Sequence, residues 1–204
     1  MFTVIRADQL EFDPRPQMSQ IFADGFSQWL GYFSKDNQAI ARAFAHMFVL
    51  NQFYVAVTDE RKITAMAACT DGTASSVKLN SKELRKHLGL VKGTLAGVIL
   101  KKEFEATKAV KTTTDAPIST HGSIEFVGTA PECRGQGAAS AIIRHMVENV
   151  PFDQFLIEEV ADTNMPAMNL YQKLGFQEYK RKSIPQKKAE KIGINHIISL
   201  KYVK

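Results

Sequence analysis

The sequence predicts an α/β chain of the α+β kind, and three observations carry that prediction. A strand-like run, two helical patterns and two more strand-like runs open the chain. Near residue 130 a strand, a loop of small residues and a helix follow one another directly. A further helix then stands between β-rich runs.

Each element has its own warrant. Residues 2–7 read as the first strand, after which Asp13-Pro14-Arg15-Pro16 breaks the chain, because proline fixes φ and removes a donor. Met18, Ile21, Phe22, Phe26, Trp29, Leu30 and Phe33 recur at helical spacing, and Ile40, Phe44, Met47 and Phe48 form a second such face. Residues 53–57 and 63–70 are β-rich and joined by the turn Thr58-Asp59-Glu60-Arg61. Residues 72–120 are less regular. There Asn80 caps a helix with Glu83 three residues on, and Leu84, Leu88, Val91, Leu95, Val98 and Ile99 continue one apolar face that Gly89, Gly93 and Gly97 weaken or bend. Residues 112–122, rich in Thr, Asp, Pro and Ser, read as a loop.

Residues 123–129 read as a strand. A helix follows from 137 to 150 on the face Ala139, Ile142, Ile143, Met146, Val147 and Val150, and Pro151 stops it. Residues 154–160 are again β-rich. Asp162-Thr163-Asn164 turns the chain into a helix opened by Pro166, lined by Ala167, Leu170, Tyr171 and Leu174 and closed by Gly175. Residues 176–183 and 196–202 read as two last strands around a basic loop.

Composition narrows the function classes. Hydrophobic residues at 45% and charged residues at 23% fit an ordinary globular protein. A length of 204 residues suits one large domain or one domain with an insertion. Two distant cysteines, Cys69 and Cys133, give neither a disulfide framework nor a metal cluster, so no metal and a reducing cytoplasmic setting are expected. The N-terminus has no signal-peptide pattern, and the apolar stretch at 88–100 is too short and too polar to span a bilayer, so no membrane association is expected. The net charge is +5, with lysines gathered at 101–111 and 180–191. No aromatic interleaving or zinc spacing accompanies them, so they read as solvated surface, with no nucleic-acid partner expected.

The chemistry-bearing stretch is Arg134-Gly135-Gln136-Gly137-Ala138-Ala139, between the strand at 123–129 and the helix that follows. A helix start offers unpaired N–H groups and the positive end of a dipole, which suit a phosphate. Glycine lets a ligand approach the backbone, and Ala138 and Ala139 keep the first turn thin. Neither the Gly-x-Gly-x-x-Gly dinucleotide pattern after a first strand nor a P-loop is present.

Arg134-x-x-Gly137-x-Ala139, led in by Gly128-Thr129-Ala130-Pro131-Glu132, is similar to the Arg/Gln-x-x-Gly-x-Gly/Ala signature of GNAT N-acetyltransferases. After it, Asn164-x-x-Ala167-x-x-Leu170-Tyr171-x-x-x-Gly175-Phe176 resembles that family's second signature. The strong match spans about residues 121–180.

The resemblance implies a GNAT fold over residues 1–204 with a helical or loop insertion at about 72–120. It implies a mixed sheet of six to seven strands, flanked by helices and opened by a V-shaped split between the strands at 123–129 and 154–160. It further implies acetyl-CoA as co-substrate, with pantetheine along Val127, Gly128 and Thr129, and pyrophosphate on Arg134, Gly135, Gln136, Gly137, Ala138 and Ala139. A lysine cluster would help at the 3′-phosphate.

Transfer of acetyl to a neutral amine needs a proton acceptor, for which Glu125 is the candidate, or else a solvated or ion-paired strand carboxylate. The N–H near Val127 would face the oxyanion. Tyr171 matches the tyrosine that protonates the leaving thiolate, or else packs in the core. Asn164 binds pantetheine, caps its helix, or does both. Cys133 has no base beside it in sequence, His145 being on the next helix, and His46, His87, His121 and His196 are scattered. Trp29, Tyr32 and Phe33, with Glu158, are the candidates for the acceptor pocket; Glu159 and Asp162 lie near the same cleft mouth. The acceptor is expected to be a small-molecule, peptide or protein amine. Alternatives are a longer acyl-CoA, an aminoacyl-tRNA acceptor, or an acyl-CoA sensor without turnover. A homodimer is compatible with the resemblance.

Overall fold

The computed structural model describes residues 2–104 and 121–204. Seven strands form one open sheet: β1 (Phe2–Arg6), β2 (Phe53–Thr58), β3 (Ile63–Thr70), β4 (His121–Thr129), β5 (Gln154–Ala161), β6 (Gln177–Ser183) and β7 (His196–Val203). Their order is β1-β2-β3-β4-β5-β7-β6. Every neighbouring pair is antiparallel except β4–β5, so the sheet is mixed, as expected.

Two apolar clusters cover its faces. On one side α1 (Arg15–Gly25), α2 (Ser27–Leu30) and α3 (Asn37–Phe44) enclose Met18, Phe22, Leu30, Ile40, Phe44 and Phe53. On the other, α6 (Ala138–Asn149) and α7 (Met165–Lys173) enclose Ile142, Met146, Phe155, Tyr171 and Phe176. The helical stripe at 18–33 is interrupted rather than continuous, because Phe26 leaves helical dihedrals (φ −112°, ψ 16°) between α1 and α2. Met47 and Phe48 likewise lie past the end of α3, in a short 3₁₀ turn and just beyond it, although both remain buried.

β4 and β5 pair only at His121↔Gln154, Gly122↔Phe155 and Ser123↔Leu156, and beyond these they part. The strand therefore starts two residues earlier than expected, its parallel partner holding His121 and Gly122 in the sheet. The rest of the expected loop, residues 112–120, lies outside the described residues, as does most of the lysine cluster at 101–111.

Both parting strands carry a bulge. Phe126 and Val127 stand opposite the single Ala67, and Glu158 and Glu159 opposite the single Ser199. Phe126 (φ 51°) and Glu159 (φ 61°) take left-handed backbone there, which costs on the order of 1–3 kcal/mol each in a residue with a side chain. The bulge also breaks the strict alternation of faces. Ile124 and Val127 pack with the α6–α7 cluster, whereas Phe126 joins Phe22, Phe26 and Phe53 on the α1 side, at ring distances of 6.2–6.3 Å.

Residues 81–104 form a helical hairpin, α4 (Ser81–Leu88) and α5 (Leu90–Phe104). Asn80 caps α4 through Lys82 N–H. The chain reverses at Gly89, whose φ of 81° few other residues adopt. The expectation of one continuous apolar face is overturned here. Leu84, Leu88, Ala96 and Leu100 are buried, but Leu90, Val91, Leu95, Val98 and Ile99 are exposed, Val91 by 81%. The reason is steric. Gly93 meets the backbone of α4 so closely that a Cβ would lie 2.5 Å from Arg85 Cα, and Gly97 packs beside Ser81, so the glycine side of α5 faces inward.

A second correction falls between the last two strands. The expected basic loop contains α8 (Gln186–Ile192), which follows Pro185, buries Ala189 and ends at the left-handed Gly193. No helix of the described residues is long and apolar enough to cross a membrane.

The glycine contact makes a direct prediction. Alanine is the better helix former by about 1 kcal/mol, yet Gly93→Ala should destabilise the chain by about 1–3 kcal/mol because the new methyl overpacks against backbone. Urea unfolding that shows equal or greater stability would mean the helices are not in such close contact.

Candidate active site

The split between β4 and β5 opens into a cavity of about 300 Å³. Glu125, Phe126 and Val127 line it from β4; Ile157, Glu158, Glu159 and Val160 from β5; Asn164, Ala167 and Tyr171 from the start and first two turns of α7; and Phe26 from the break between α1 and α2. The structure thus brings Glu125, Val127, Asn164, Tyr171 and Glu158 to one hollow, although the sequence separates them by up to 46 positions.

Glu125 is held by two hydroxyls. Ser76 Oγ donates to Oε2 at 2.8 Å, and Ser123 Oγ approaches Oε1 at 3.4 Å. A carboxylate has about four lone-pair directions, so two donors leave acceptor capacity free. Opposite it, Tyr171 is buried, and burial pushes its phenol up to about 12, so the hydroxyl carries its proton at any ordinary pH. Among the described residues no side chain accepts that proton. Asn164 Oδ1 accepts the Ala167 N–H at 3.3 Å and caps α7, so the capping role is present. Glu158 Oε1 accepts from Tyr179 OH at 3.1 Å. Asp162 is engaged beside the cleft by Asn195 N–H (3.2 Å) and His196 Nδ1 (3.2 Å).

Residues 134–137 lead from β4 into α6 and are exposed. Gly135 (φ 76°) and Gly137 (φ 84°) both take left-handed backbone, with open space where a Cβ would be, and α6 begins at Ala138 with no side-chain cap. Its first N–H groups, equivalent to about half an elementary charge, are therefore free for an anion. Gln136 Nε2 donates to Glu132 O, which folds the loop on itself, and Lys62 pairs with Glu132 at 2.9 Å beside it. Gly128 is small for another reason: a Cβ there would lie 2.9 Å from Ile21, so α1 sits directly on β4. An open depression of about 490 Å³ continues from Gly137 past Ser140 and Arg144 to Lys173. Its cations are thus Arg144 and Lys173; residues of the two expected lysine clusters do not line it among those described.

Other candidates are not brought in. Tyr32 is exposed and packs edge-on against Phe33, which is buried in the α1-side core; neither lines the cavity. The side chain of Trp29 lies outside the described residues. Cys133 is buried in the α1-side cluster, and Cys69, half-buried in β3, has its thiol pushed up to about 12 by desolvation and by the charges of Glu125 and Asp71, which disfavours a thiolate. His145 packs against Tyr54 at 5.5 Å. His46 accepts the Asn80 N–H on Nε2 at 2.7 Å, and burial lowers its pKa below the ordinary imidazole value, a structural role. Sequence reasoning missed Ser76, Ser123 and Phe26. Ser76 lies in an irregular stretch 49 positions from Glu125 and gives no signal; the spacing of Phe26 signals only a helix core.

A split between two parallel strands thus lies beside a bare, glycine-entered helix N-terminus. The Acetyltransferase (GNAT) family model matches residues 16–176. The chain belongs to this family and is an acyltransferase, whose fold supports acyl transfer from coenzyme A. Among solved structures, an N-acetyltransferase from Staphylococcus aureus Mu50 is similar at 16% identity and TM-score 0.59, over 98% of this chain and 100% of that one. The ribosomal-protein-S18-alanine N-acetyltransferase from Escherichia coli is similar at 14% identity and TM-score 0.51, over 100% and 94%. The NatC complex bound to Gag peptide and CoA matches at 11% identity and TM-score 0.54, over 100% and 98%. At these identities the likeness is one of fold. No curated protein matches the sequence.

The buried phenol has a measurable consequence. Its folded-state value, about 12, exceeds the ordinary 10. The stability tied to neutral Tyr171 is therefore fully present below pH 10 and is lost as pH rises from 10 to 12, where the unfolded chain has already released the proton. Tyr171→Phe should show a shallower loss of stability over that interval; identical slopes would mean that the hydroxyl is solvated.

Proposed function

We propose that the chain transfers the acetyl group of acetyl-CoA to a primary amine by direct attack in a ternary complex, the acceptor being a small molecule, a peptide or a protein. One observation carries the reading: Glu125 and Val127 on β4 line the same cavity as Asn164 and Tyr171 on α7. An acid–base pair, a backbone donor and a polar anchor at one strand split are the parts that amide formation from a thioester requires.

In this reading acetyl-CoA lies in the split and supplies the activated acetyl group. Residues 127–129 hold the pantetheine arm through backbone groups, as an added strand would be held. Arg134, Gly135, Gln136, Gly137, Ala138 and Ala139 take the pyrophosphate at the start of α6. Arg144 and Lys173, in the depression that shares Gly137 with this loop, take the 3′-phosphate end. Glu125 accepts the proton of the attacking amine, directly or through water. The Val127 N–H stabilises charge on the carbonyl oxygen, and the neutral Tyr171 hydroxyl gives its proton to the departing thiolate. Glu158 and Glu159 put negative charge at the amine side, which favours a cationic acceptor. The S18-alanine enzyme and the Gag-bound NatC complex support a peptide or protein amine, because those related folds serve peptide or protein chains.

Thiol release from acetyl-CoA, followed with a panel of polyamines, amino acids and short peptides with free N-termini, tests the reading. At least one amine should accelerate release. Glu125→Gln should lower kcat by about 10²-fold or more, and Tyr171→Phe, at a residue that also contacts the coenzyme in this reading, should lower kcat more than coenzyme affinity. Tight CoA binding with no amine-dependent release would leave a sensor instead. Separately, Arg144→Ala with Lys173→Ala should weaken CoA but not 3′-dephospho-CoA; equal weakening of both would remove the assignment of the 3′-phosphate.

A further inference from the structure

We propose that Ser76 is a positioning residue for Glu125, its buried hydroxyl fixing the carboxylate in the orientation from which it accepts the amine proton. The proposal rests on Glu125 acting as the base.

Ser76 is fully buried, and its Oγ lies 2.8 Å from Glu125 Oε2, the shorter of the two hydroxyl contacts on that carboxylate. A hydroxyl donating to a charged acceptor at this distance makes a charge-assisted bond, roughly twice as strong as a neutral one. A contact at 3.4 Å adds little, so the orientation of the carboxylate depends mainly on Ser76.

The serine is itself fixed by backbone, which a chance surface contact would not be. Val49 N–H donates to Ser76 O at 2.9 Å, Lys78 N–H to Met47 O at 2.8 Å, and Asn80 N–H to the His46 ring at 2.7 Å. Phe48 and Val77 form an isolated bridge between the same two segments. The stretch after β3 is thereby stitched to the turn after α3, and Ser76 is presented behind the strand that carries Glu125.

The bulge explains why this brace is needed. Because Phe126 is left-handed, the strand around Glu125 departs from regular alternation, and Ala68 is the last β3 partner before the bulge. Glutamate has several freely rotating bonds, and a misplacement of about 1 Å in a catalytic group can cost about 10²-fold in rate. A fixed donor on one oxygen leaves the other oriented, while the remaining lone pairs stay open to the substrate proton.

The test is a double-mutant cycle on kcat, with the amine from the panel above that turns over fastest. Ser76→Ala should lower kcat about tenfold and leave acetyl-CoA affinity unchanged. In the Glu125→Gln background the same change should have little further effect, because the group it positions is gone. Ser76→Thr, which keeps the hydroxyl, should recover most of the loss. Full activity in Ser76→Ala, or a loss that simply adds to that of Glu125→Gln, would overturn the proposal while leaving the base assignment intact. Full activity in Glu125→Gln would instead remove the base assignment itself. If Ser76→Ala does not fold, Ser76→Cys, a weaker donor of similar volume, must show the kcat loss. Independently of any acceptor, the Glu125 carboxyl carbon resonance, assigned by its absence in Glu125→Gln, should move in Ser76→Ala; an unmoved resonance contradicts the brace.

Discussion

Two residues at the centre of the sheet, Phe126 and Glu159, hold left-handed backbone although neither is glycine. Each sits in a bulge, one on either side of the line where β4 and β5 stop pairing. The cost, on the order of 1–3 kcal/mol apiece, is offset by neighbours that over-determine the conformation. For Phe126 those neighbours are three phenylalanine rings. Without the bulges two adjacent parallel strands would zip together along their length, and the cavity between them would close.

What the split exposes is set by the same geometry. Backbone around Val127 is left out of regular pairing, Glu125 is held by Ser76, and α7 brings Tyr171 to the opposite wall. The bare start of α6 follows β4 by a short turn, so an anion site and a strand-like slot lie in series. A long carrier with phosphates at one end and an acyl thioester at the other matches that series. The chemistry proposed for the chain is a consequence of where the sheet opens.

Much of this was legible in sequence because the signals are local. Strand, glycine-rich loop and helix are contiguous from 121 to 149, and Asn164, Pro166 and Gly175 mark both ends of α7. The parts that were not legible depend on tertiary contact. Nothing in the residue type of Phe126 announces positive φ. Ser76 meets Glu125 only after two segments are stitched together. On α5, Gly93 and Gly97 look in sequence like helix weakeners, but they are the contact ridge against α4, which turns the larger apolar residues outward. α8 carried a readable signal, a proline before it and a glycine after it, that the lysine-rich composition obscured.

The most direct test of the central claim is to titrate the chain with CoA and follow its backbone amide resonances. The largest shifts should fall in residues 127–129, residues 135–139 and the first turn of α7, with little change on β6 or α8. Shifts concentrated elsewhere, or none in residues 127–129, would contradict the assignment of the split as the coenzyme slot.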